Sequence, residues 1–362
     1  MHPLRIAIDA SRTTVARVTG TERYALELIR AMIRLNTEHQ LLLYFRNHPP
    51  PDLLPTSDRI TISIIPFRRM WTHIRFAATL WRDRPDVTFV PAHTLPFLFP
   101  GRAIVTVHDL GYRHFPRAHP AFQRMYLNLT TRYSANRATL VFADSQATAN
   151  DLHRFYGTRH DKIRVIYPGI ERPHFHDVDI AEKYCLPERY FLFIGTLQPR
   201  KNIAGLVRAY RSYRERVDQP AGLVLAGGKG WLYDDRWIAG TDGVQLIGYI
   251  DEEDKAALFA NAIALVFPSL YEGFGFPVLE AMHCGLPVIA SNTSSLPELV
   301  GEAGLTVDPD DFFAIASAMV HIDRDYDLRE ALRDRGYAQA RRFTWDRAAA
   351  NVFSAIETLP QA

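Results

Sequence analysis

Cysteine is scarce in this chain of 362 residues: Cys185 and Cys284 stand far apart and in no metal-ligand spacing. That excludes a disulfide framework and a cysteine-rich zinc module, and it fits a reducing compartment. No apolar run approaches the length that crosses a bilayer, and the opening MHPLRIAIDASRT lacks the apolar core of a signal peptide. A cytoplasmic location is therefore expected, and the sequons Asn128-Leu-Thr130 and Asn292-Thr-Ser294 read as accidental. Low-complexity tracts and short-period repeats are also missing. A hydrophobic content of 47% and a charged content of 23% are those of a soluble globular protein, long enough for two domains.

The net charge of +2 hides an imbalance. Residues 1–170 carry 23 Lys and Arg against 12 Asp and Glu, whereas the remainder carries 19 against 28. Folding does not require such asymmetry, so the first half is expected to meet something acidic, such as a membrane surface or a phosphorylated acceptor. No known nucleic-acid module accompanies the charge, and nucleic acid is not expected as a partner.

Short apolar strands alternate with helical stretches throughout. Leu4–Asp9 reads as a strand and Thr21–Leu35 as an amphipathic helix with Leu28, Met32 and Leu35 on one face. LLLYF, ITISII, VTFVPA, AIVTVHD, TLVFADS and IRVIYPG follow as strands, with helices near Met70–Arg82, Phe122–Arg137 and Ala147–Tyr156. An irregular stretch from Ile170 to Pro187 reads as the connection, after which the pattern restarts. Strands are expected at Tyr190–Gly195, Gly222–Ala226, Val244–Ile247 and Ala264–Phe267, and helices at Asn202–Val217, Trp231–Ile238 and Glu252–Asn261. A final helix is expected over Trp345–Leu359. Alternation of this kind means parallel sheets covered on both faces, with ligands at the carboxyl ends of the strands. Two such halves imply an α/β protein of two doubly wound domains facing a central cleft.

Chemistry concentrates in the stretch Ser269 to Ser291. Gly273-Phe274-Gly275 precedes a helix opened by Pro277, where unpaired N–H groups and the helix dipole favour an anion. Glu272 lies in the approach and Glu280 in the first turn, able to face one ligand from two sides. Strand Phe191–Ile194 runs into Gly195-Thr196-Leu197-Gln198-Pro199-Arg200-Lys201-Asn202 and then a helix. Cations ahead of a helix start work against the dipole, so stability does not explain Arg200 and Lys201, whereas neutralising a phosphate does.

Weaker signals remain open. Thr19-Gly20-Thr21-Glu22 sits between the first strand and its helix, where glycine serves either ligand approach or conformation alone. His108 and Asp109 end a strongly apolar strand, either facing the cleft or as a loop histidine capped by its neighbour. Ser145 reads as a helix N-cap. Gly227-Gly228-Lys229-Gly230 matches neither common nucleotide pattern. Gly248-Tyr249-Ile250 is a loop that can lie beside a base. Residues 66–85 interleave Arg68, Arg69, Arg75, Arg82 and Arg84 with Trp71, Phe76 and Trp81; they read as a membrane-interface helix, or as core through the stripe Trp71, Ile74, Ala78 and Trp81.

Together these residues resemble the GT-B glycosyltransferases of family 4, retaining enzymes that use nucleotide-sugar donors. Glu272-Gly273-Phe274-Gly275-Phe276-Pro277-Val278-Leu279-Glu280 resembles the family's glutamate pair, and Gly195 to Asn202 its diphosphate segment. Gly20 matches its first-domain glycine loop, Val107-His108-Asp109 its active-site histidine, and Val165 to Gly169 the end of its first domain. The resemblance implies two Rossmann-like domains: an acceptor-binding domain over 1–172, a donor-binding domain over 173–343, and a C-terminal helix within 344–362 packing back on the first. It implies His108, Arg200, Lys201 and Glu272 as catalytic residues. Gly20, Gly195, Tyr249, Gly273, Phe274, Gly275, Leu279 and Glu280 would join Arg200, Lys201 and Glu272 in holding the donor, Glu280 on the ribose and Glu272 on the sugar. The two cations would stabilise the leaving diphosphate, so no metal and no cofactor are expected; Asp308 and Asp310 form a loose D-x-D but open a late helix. The resemblance further implies GDP-mannose as donor, ahead of a UDP-sugar, and a glycan or lipid-diphosphate-linked acceptor of polysaccharide or O-antigen assembly. The basic first half and the Arg/Trp stretch fit such an acceptor at the inner leaflet, so a peripheral position on the inner face of the plasma membrane, with residues 66–85 in contact, is expected. A nucleotide-sugar epimerase and a non-catalytic nucleotide-sugar-binding subunit are the competing readings.

Overall fold

A computed structural model describes residues 2–15, 20–67, 69–118, 120–171, 174–176 and 179–359. It forms two compact units, one of Met1–Gly169 with the chain from Phe343 onward, the other Ile170–Arg342. The boundary expected between Arg172 and Pro173 falls on residues outside the described ones, as do Thr19 and Arg68.

The first unit is built on β1 (Arg5–Asp9), β2 (Gln40–Phe45), β3 (Ile60–Ile64), β4 (Val87–Val90), β5 (Arg102–Val107), β6 (Leu140–Ala143) and β7 (Ile163–Val165). Among the described residues these make one parallel sheet in the order β3-β2-β1-β4-β5-β6-β7. The helices between them are α1 (Gly20–Leu35), α2 (Ala77–Asp83), α3 (Gly111–His114), α4 (Ala121–Arg137) and α5 (Gln146–Tyr156). Every residue of β4 and β6 is buried, which is why these strands read as unbroken apolar runs rather than as an alternation. Leu28 and Met32 of α1 are fully buried, whereas Leu35 in its last turn is 40% exposed, so the expected face ends one turn early. Ser145 caps α5, its Oγ accepting from Thr148 N at 3.0 Å. The chain lays down β1 to β3 in one direction and returns with β4 on the other side of β1. A reversal of this kind opens a crevice at the carboxyl ends of the two strands.

The second unit runs α6 (Ile180–Tyr184), β8 (Tyr190–Ile194), α7 (Ile203–Arg214), β9 (Gly222–Ala226), β10 (Val244–Gly248), α8 (Lys255–Asn261), β11 (Ala264–Phe267), α9 (Phe276–His283), β12 (Val288–Ser291), α10 (Leu296–Val300), β13 (Leu305–Val307), α11 (Phe312–Arg324) and α12 (Tyr326–Ala340). Its parallel sheet has the order β10-β9-β8-β11-β12-β13 among the described residues, with the reversal between β8 and β11. The helix expected over Trp231–Ile238 is absent: Leu232 adopts a left-handed φ of 53°, which no continuing helix accepts, and a single 3-10 turn, Asp235–Trp237, remains.

The last helix, α13 (Trp345–Glu357), belongs to the first unit and packs along α1. Trp345 meets Tyr24 edge-on at 5.8 Å, Asp346 pairs with Arg34 at 2.9 Å, and Glu357 lies 3.3 Å from His39. Gly169 sits beneath its start, where a Cβ would come within 2.1 Å of Trp345 N. Backbone cannot yield as a side chain can, so Gly169→Ala must lift α13 from α1. We expect a loss of roughly 1–3 kcal/mol in urea denaturation, with faster amide exchange over 345–357.

Candidate active site

Because β8 and β11 are neighbours, the loops leaving their carboxyl ends meet. Leu270 N donates to the Arg200 carbonyl at 2.9 Å, and Arg200 Nη1 donates to Tyr271 O and to Glu272 Oε2, both at 2.9 Å. Lys201 Nζ donates to Glu272 Oε1 at 2.5 Å. The Glu272 carboxylate is buried at 6% exposure and bridges both cations. Burial alone would raise its pKa, but the Arg200 and Lys201 charges overcome that and hold it below its ordinary value of 4.5. The serines after β12 fix the same loop. Ser294 Oγ accepts from Glu272 N at 2.9 Å, and Ser295 Oγ donates to the carbonyls of Glu272 and Phe274.

The local sequence explains why these loops can come so close. Gly195 (φ 143°) and Gly227 (φ 144°) lie back to back at the ends of β8 and β9, and a Cβ on Gly227 would fall 2.0 Å from Gly195 O. Beyond them Leu197 N donates to Gly228 O at 2.9 Å and Gly230 N to Leu197 O at 2.8 Å. The Gly227–Gly230 loop is thus stitched to the Gly195–Gln198 segment, a link that neither motif alone revealed. Asn202 holds a φ of 55° and caps α7, its side chain accepting from Gly205 N at 3.2 Å and donating to Pro309 O at 2.7 Å. Gly275, with φ 124°, precedes α9, and Pro277 lies in its first turn.

Glu280 is buried and lies in the second turn of α9 rather than the first. Its Oε2 is 3.5 Å from Lys255 Nζ, which also pairs with Glu252 at 2.8 Å. Lys255 was overlooked in the sequence. It continues the 3-10 turn Glu252–Asp254 into α8, where its pairing with Glu252 three residues earlier is an ordinary helical neighbour contact and only the contact with Glu280 is long-range. Tyr249 is 80% exposed at the rim of the sheet, whereas the Leu279 side chain is fully buried in the core and unavailable to a ligand. Asp308 and Asp311 accept from nearby backbone N–H groups, Asp311 as the cap of α11, which is the local use expected of them.

In the first unit His108 follows β5. Its Nδ1 is 2.7 Å from Asp144 Oδ2 and its Nε2 is 3.3 Å from Pro91 O. Both ring nitrogens therefore face acceptors, which favours the imidazolium. Burial opposes a charge there, but the Asp144 carboxylate outweighs it and the pKa lies above 6.5. The His108 amide donates to His93 Nε2 at 3.4 Å, and burial next to the His108 charge pulls the His93 pKa down to about 4. Beside this group a cavity of about 330 Å³ opens at the β1/β4 reversal, lined among others by Asp9, Arg12, Glu22, His93, Asp109 and Tyr126. These polar groups share the lining with Tyr112 and with apolar Val90, Ala92 and Leu127, a mixture able both to hydrogen-bond and to pack against a ligand. Gly20, exposed at the first residue of α1, lies next to two of its lining residues, Thr21 and Glu22.

Residues 182–339 match the glycosyl transferases group 1 and residues 18–172 the glycosyltransferase family 4. The chain is 32% identical over 373 residues to the O-antigen chain mannosyltransferase B of Escherichia coli, covering 94% of this chain and 97% of that protein. The chain belongs to this glycosyltransferase family. Its fold is GT-B: it superposes on a sucrose-phosphate synthase from Thermosynechococcus elongatus with a TM-score of 0.74, at 24% identity and 98% coverage of both chains. Anabaena Alr3699/HepE, solved with UDP and glucose, gives a TM-score of 0.74 at 16% identity, covering 98% of this chain and 100% of that one. The glycosyltransferase thus gathers Arg200, Lys201, Glu272 and the Gly273–Gly275 turn at one reversal of strand order, and His108 and Gly20 belong to its other unit.

The buried triad sets a pH dependence. A carboxyl whose folded pKa is depressed contributes stability above its unfolded value and loses it as the pH falls through the folded one. Stability is therefore expected to decline below about pH 4.5, and less steeply in Glu272→Gln. At neutral pH that variant leaves two cations without their counter-charge and should lose about 3–5 kcal/mol. Urea denaturation of both proteins between pH 3 and 7 checks both statements.

Proposed function

We propose that this glycosyltransferase transfers mannose from GDP-mannose, with retention of configuration, to a glycan or lipid-diphosphate-linked acceptor of O-antigen or related polysaccharide assembly. The observation that carries the reading is the pairing of Arg200 and Lys201 with one buried carboxylate at the β8/β11 reversal. Two full charges against one leave the loop net positive, as a diphosphate requires. The named mannosyltransferase relative supports the sugar.

In this reading Glu280 takes the ribose hydroxyls, and Glu272 with the amides of the Gly273–Gly275 turn takes the transferred sugar. As the anomeric bond breaks, charge grows on the diphosphate oxygens, and the two cations, already in place, stabilise it without reorganisation. Those fixed cations supply what a divalent ion would, so transfer needs no metal. The acceptor hydroxyl attacks on the face the diphosphate leaves and gives its proton to that diphosphate. The doubly hydrogen-bonded His108 acts as a fixed positive group rather than as a base, and the 330 Å³ cavity of the first unit receives the acceptor sugar.

Contact with an anionic membrane surface through residues 66–85 completes the proposal. The stripe considered as core divides. Trp71 is buried, stacked on Phe76 at 5.0 Å with Nε1 donating to Ile65 O, while Ile74 and Trp81 are 49% and 47% exposed among the exposed Arg69, Arg75 and Arg82. Among the described residues no helix is long and apolar enough to cross a membrane.

Lys201→Ala and Arg200→Ala are expected to lower mannosyl transfer from GDP-mannose by about 10²-fold or more, with circular dichroism unchanged. Near wild-type turnover in both would remove the diphosphate assignment, and formation of an isomerised nucleotide-sugar without acceptor would favour an epimerase instead. Replacing Arg69 and Arg75 by glutamine should weaken binding to phosphatidylserine vesicles by roughly fivefold for each residue. Unchanged sedimentation with vesicles would refute the membrane contact.

A further inference from the structure

The Glu272 triad lies at the carboxyl ends of the second sheet, and a separate cavity of about 340 Å³ opens at its amino ends. The walls of that cavity include Arg189, Ile263 and Pro287, the residues that immediately precede β8, β11 and β12. Helix α12 closes it with Arg329, Arg333 and Tyr337, which stand four residues apart and so share one helix face. Three guanidinium groups thus line one cavity, and no acidic residue is among the described residues of its lining.

Structural tasks use only part of these groups. Arg189 Nη2 donates to the buried Asp323, whose other oxygen accepts from Tyr213 Oη at 2.6 Å. Arg329 donates through Nη1 alone, to Ile322 O at 2.6 Å and Asp323 O at 2.8 Å, and so caps the last turn of α11. Its Nε and Nη2, the edge that offers two parallel N–H groups, are left for another acceptor. Arg333 reaches Gly285 O only at 3.4 Å and pairs at 3.0 Å with the partly exposed Glu330 three residues earlier, a contact that contributes little. Helix stability does not favour the arrangement either, since like charges four residues apart on one face repel. Gly285, at a φ of 73°, brings the Tyr337 hydroxyl to the same wall, where a Cβ would fall 2.3 Å from it.

We infer that this cavity is a binding site for a phosphate group, held by Arg189, Arg329 and Arg333 and distinct from the site at the carboxyl ends. Guanidinium forks match the geometry of a phosphate bidentately, and a phosphate near neutral pH carries close to two charges. A carboxylate carries a single charge and does not call for three cations. A volume of about 340 Å³ is in the range of small-molecule sites rather than of a lone anion. Tyr337 and the apolar Ile263 and Pro287 line the remainder, which suits a small phosphate monoester such as a sugar phosphate. The wall from Gly285 to Pro287 joins α9, which carries Glu280, to β12, whose following turn holds the Glu272 amide. An occupant held between α12 and that wall therefore braces the segment linking the two.

The test is calorimetric titration of the full-length protein with glucose 6-phosphate, inorganic phosphate and glucose, repeated on the double variant Arg329→Gln/Arg333→Gln and on Lys201→Ala. Glucose 6-phosphate is expected to bind the wild type and Lys201→Ala with affinities within about twofold, and the double variant about tenfold or more weakly, while glucose gives no heat. Tighter binding of the monoester than of inorganic phosphate assigns the rest of the cavity to its sugar, and equal affinities assign the site to free phosphate. Circular dichroism reports whether the double variant folds. If it does not, Arg333→Gln alone, which leaves the cap of α11 intact, carries the test with an expected loss of about threefold or more. Absence of binding by both phosphates, or binding lost in Lys201→Ala and kept in the arginine variants, would overturn the inference.

Discussion

Glu272 is a carboxylate held almost wholly out of water, and the second unit is arranged so that it can stay ionised there. Its two oxygens accept from Arg200 and Lys201, and its amide is taken by Ser294. A buried charge stripped of such partners would shift to its neutral form or destabilise the fold. The partners come from the turn after β8 and the turn after β12, while the carboxylate itself sits in the loop after β11. The carboxylate therefore fixes the mutual position of three loops at the reversal of strand order. That is the crevice where doubly wound sheets bind ligands.

Close approach of backbone is the second condition. Gly227 has no room for a side chain because the Gly195 carbonyl occupies the position, and a Cβ on Gly230 would meet Thr196 Cγ2 at 2.6 Å. The glycines at the ends of β8 and β9 bring the Gly195–Gln198 segment against the Gly227–Gly230 loop, and the cations leave that packed base in a single 3-10 turn, Pro199–Lys201. A loop braced on both sides holds its charges in place ahead of any anion they are to meet. Electrostatic stabilisation depends on that preorganisation more than on the number of cations.

Much of this was legible in the sequence because strand burial and helix periodicity leave strong local patterns. Buried parallel strands such as Val87–Val90 are apolar at every position, and the Gly-rich and Arg-Lys segments follow strands directly. Less legible were features set by distant packing. Trp71 and Trp81 fall on one sequence stripe, but a π-helical turn over Thr72–Phe76 resets the phase, so one packs in the core and the other faces solvent. Leu279 lies between Glu272 and Glu280 and is nevertheless a core side chain, because α9 buries that face. The Glu252–Lys255–Glu280 link joins α9 to the approach of α8, and no local spacing encodes it. Asp144 lies in the strand stretch TLVFADS, where nothing local pairs it with a histidine. Its bond to His108 depends on β5 and β6 being neighbours, a pairing that sequence order suggests but does not fix.

The choice between arginine and lysine follows the same geometry. Of 42 basic residues only five are lysine, yet Lys201 and Lys255 are the ones that touch Glu272 and Glu280 through an ammonium. Arginine at 200 spans a carbonyl and a carboxylate, which suits a planar fork with fixed directions. At 201 and 255 the cation that reaches a buried carboxylate is a compact ammonium with three rotatable donors. The cations around the two buried glutamates are thus of two kinds, one planar guanidinium and two compact ammonium groups.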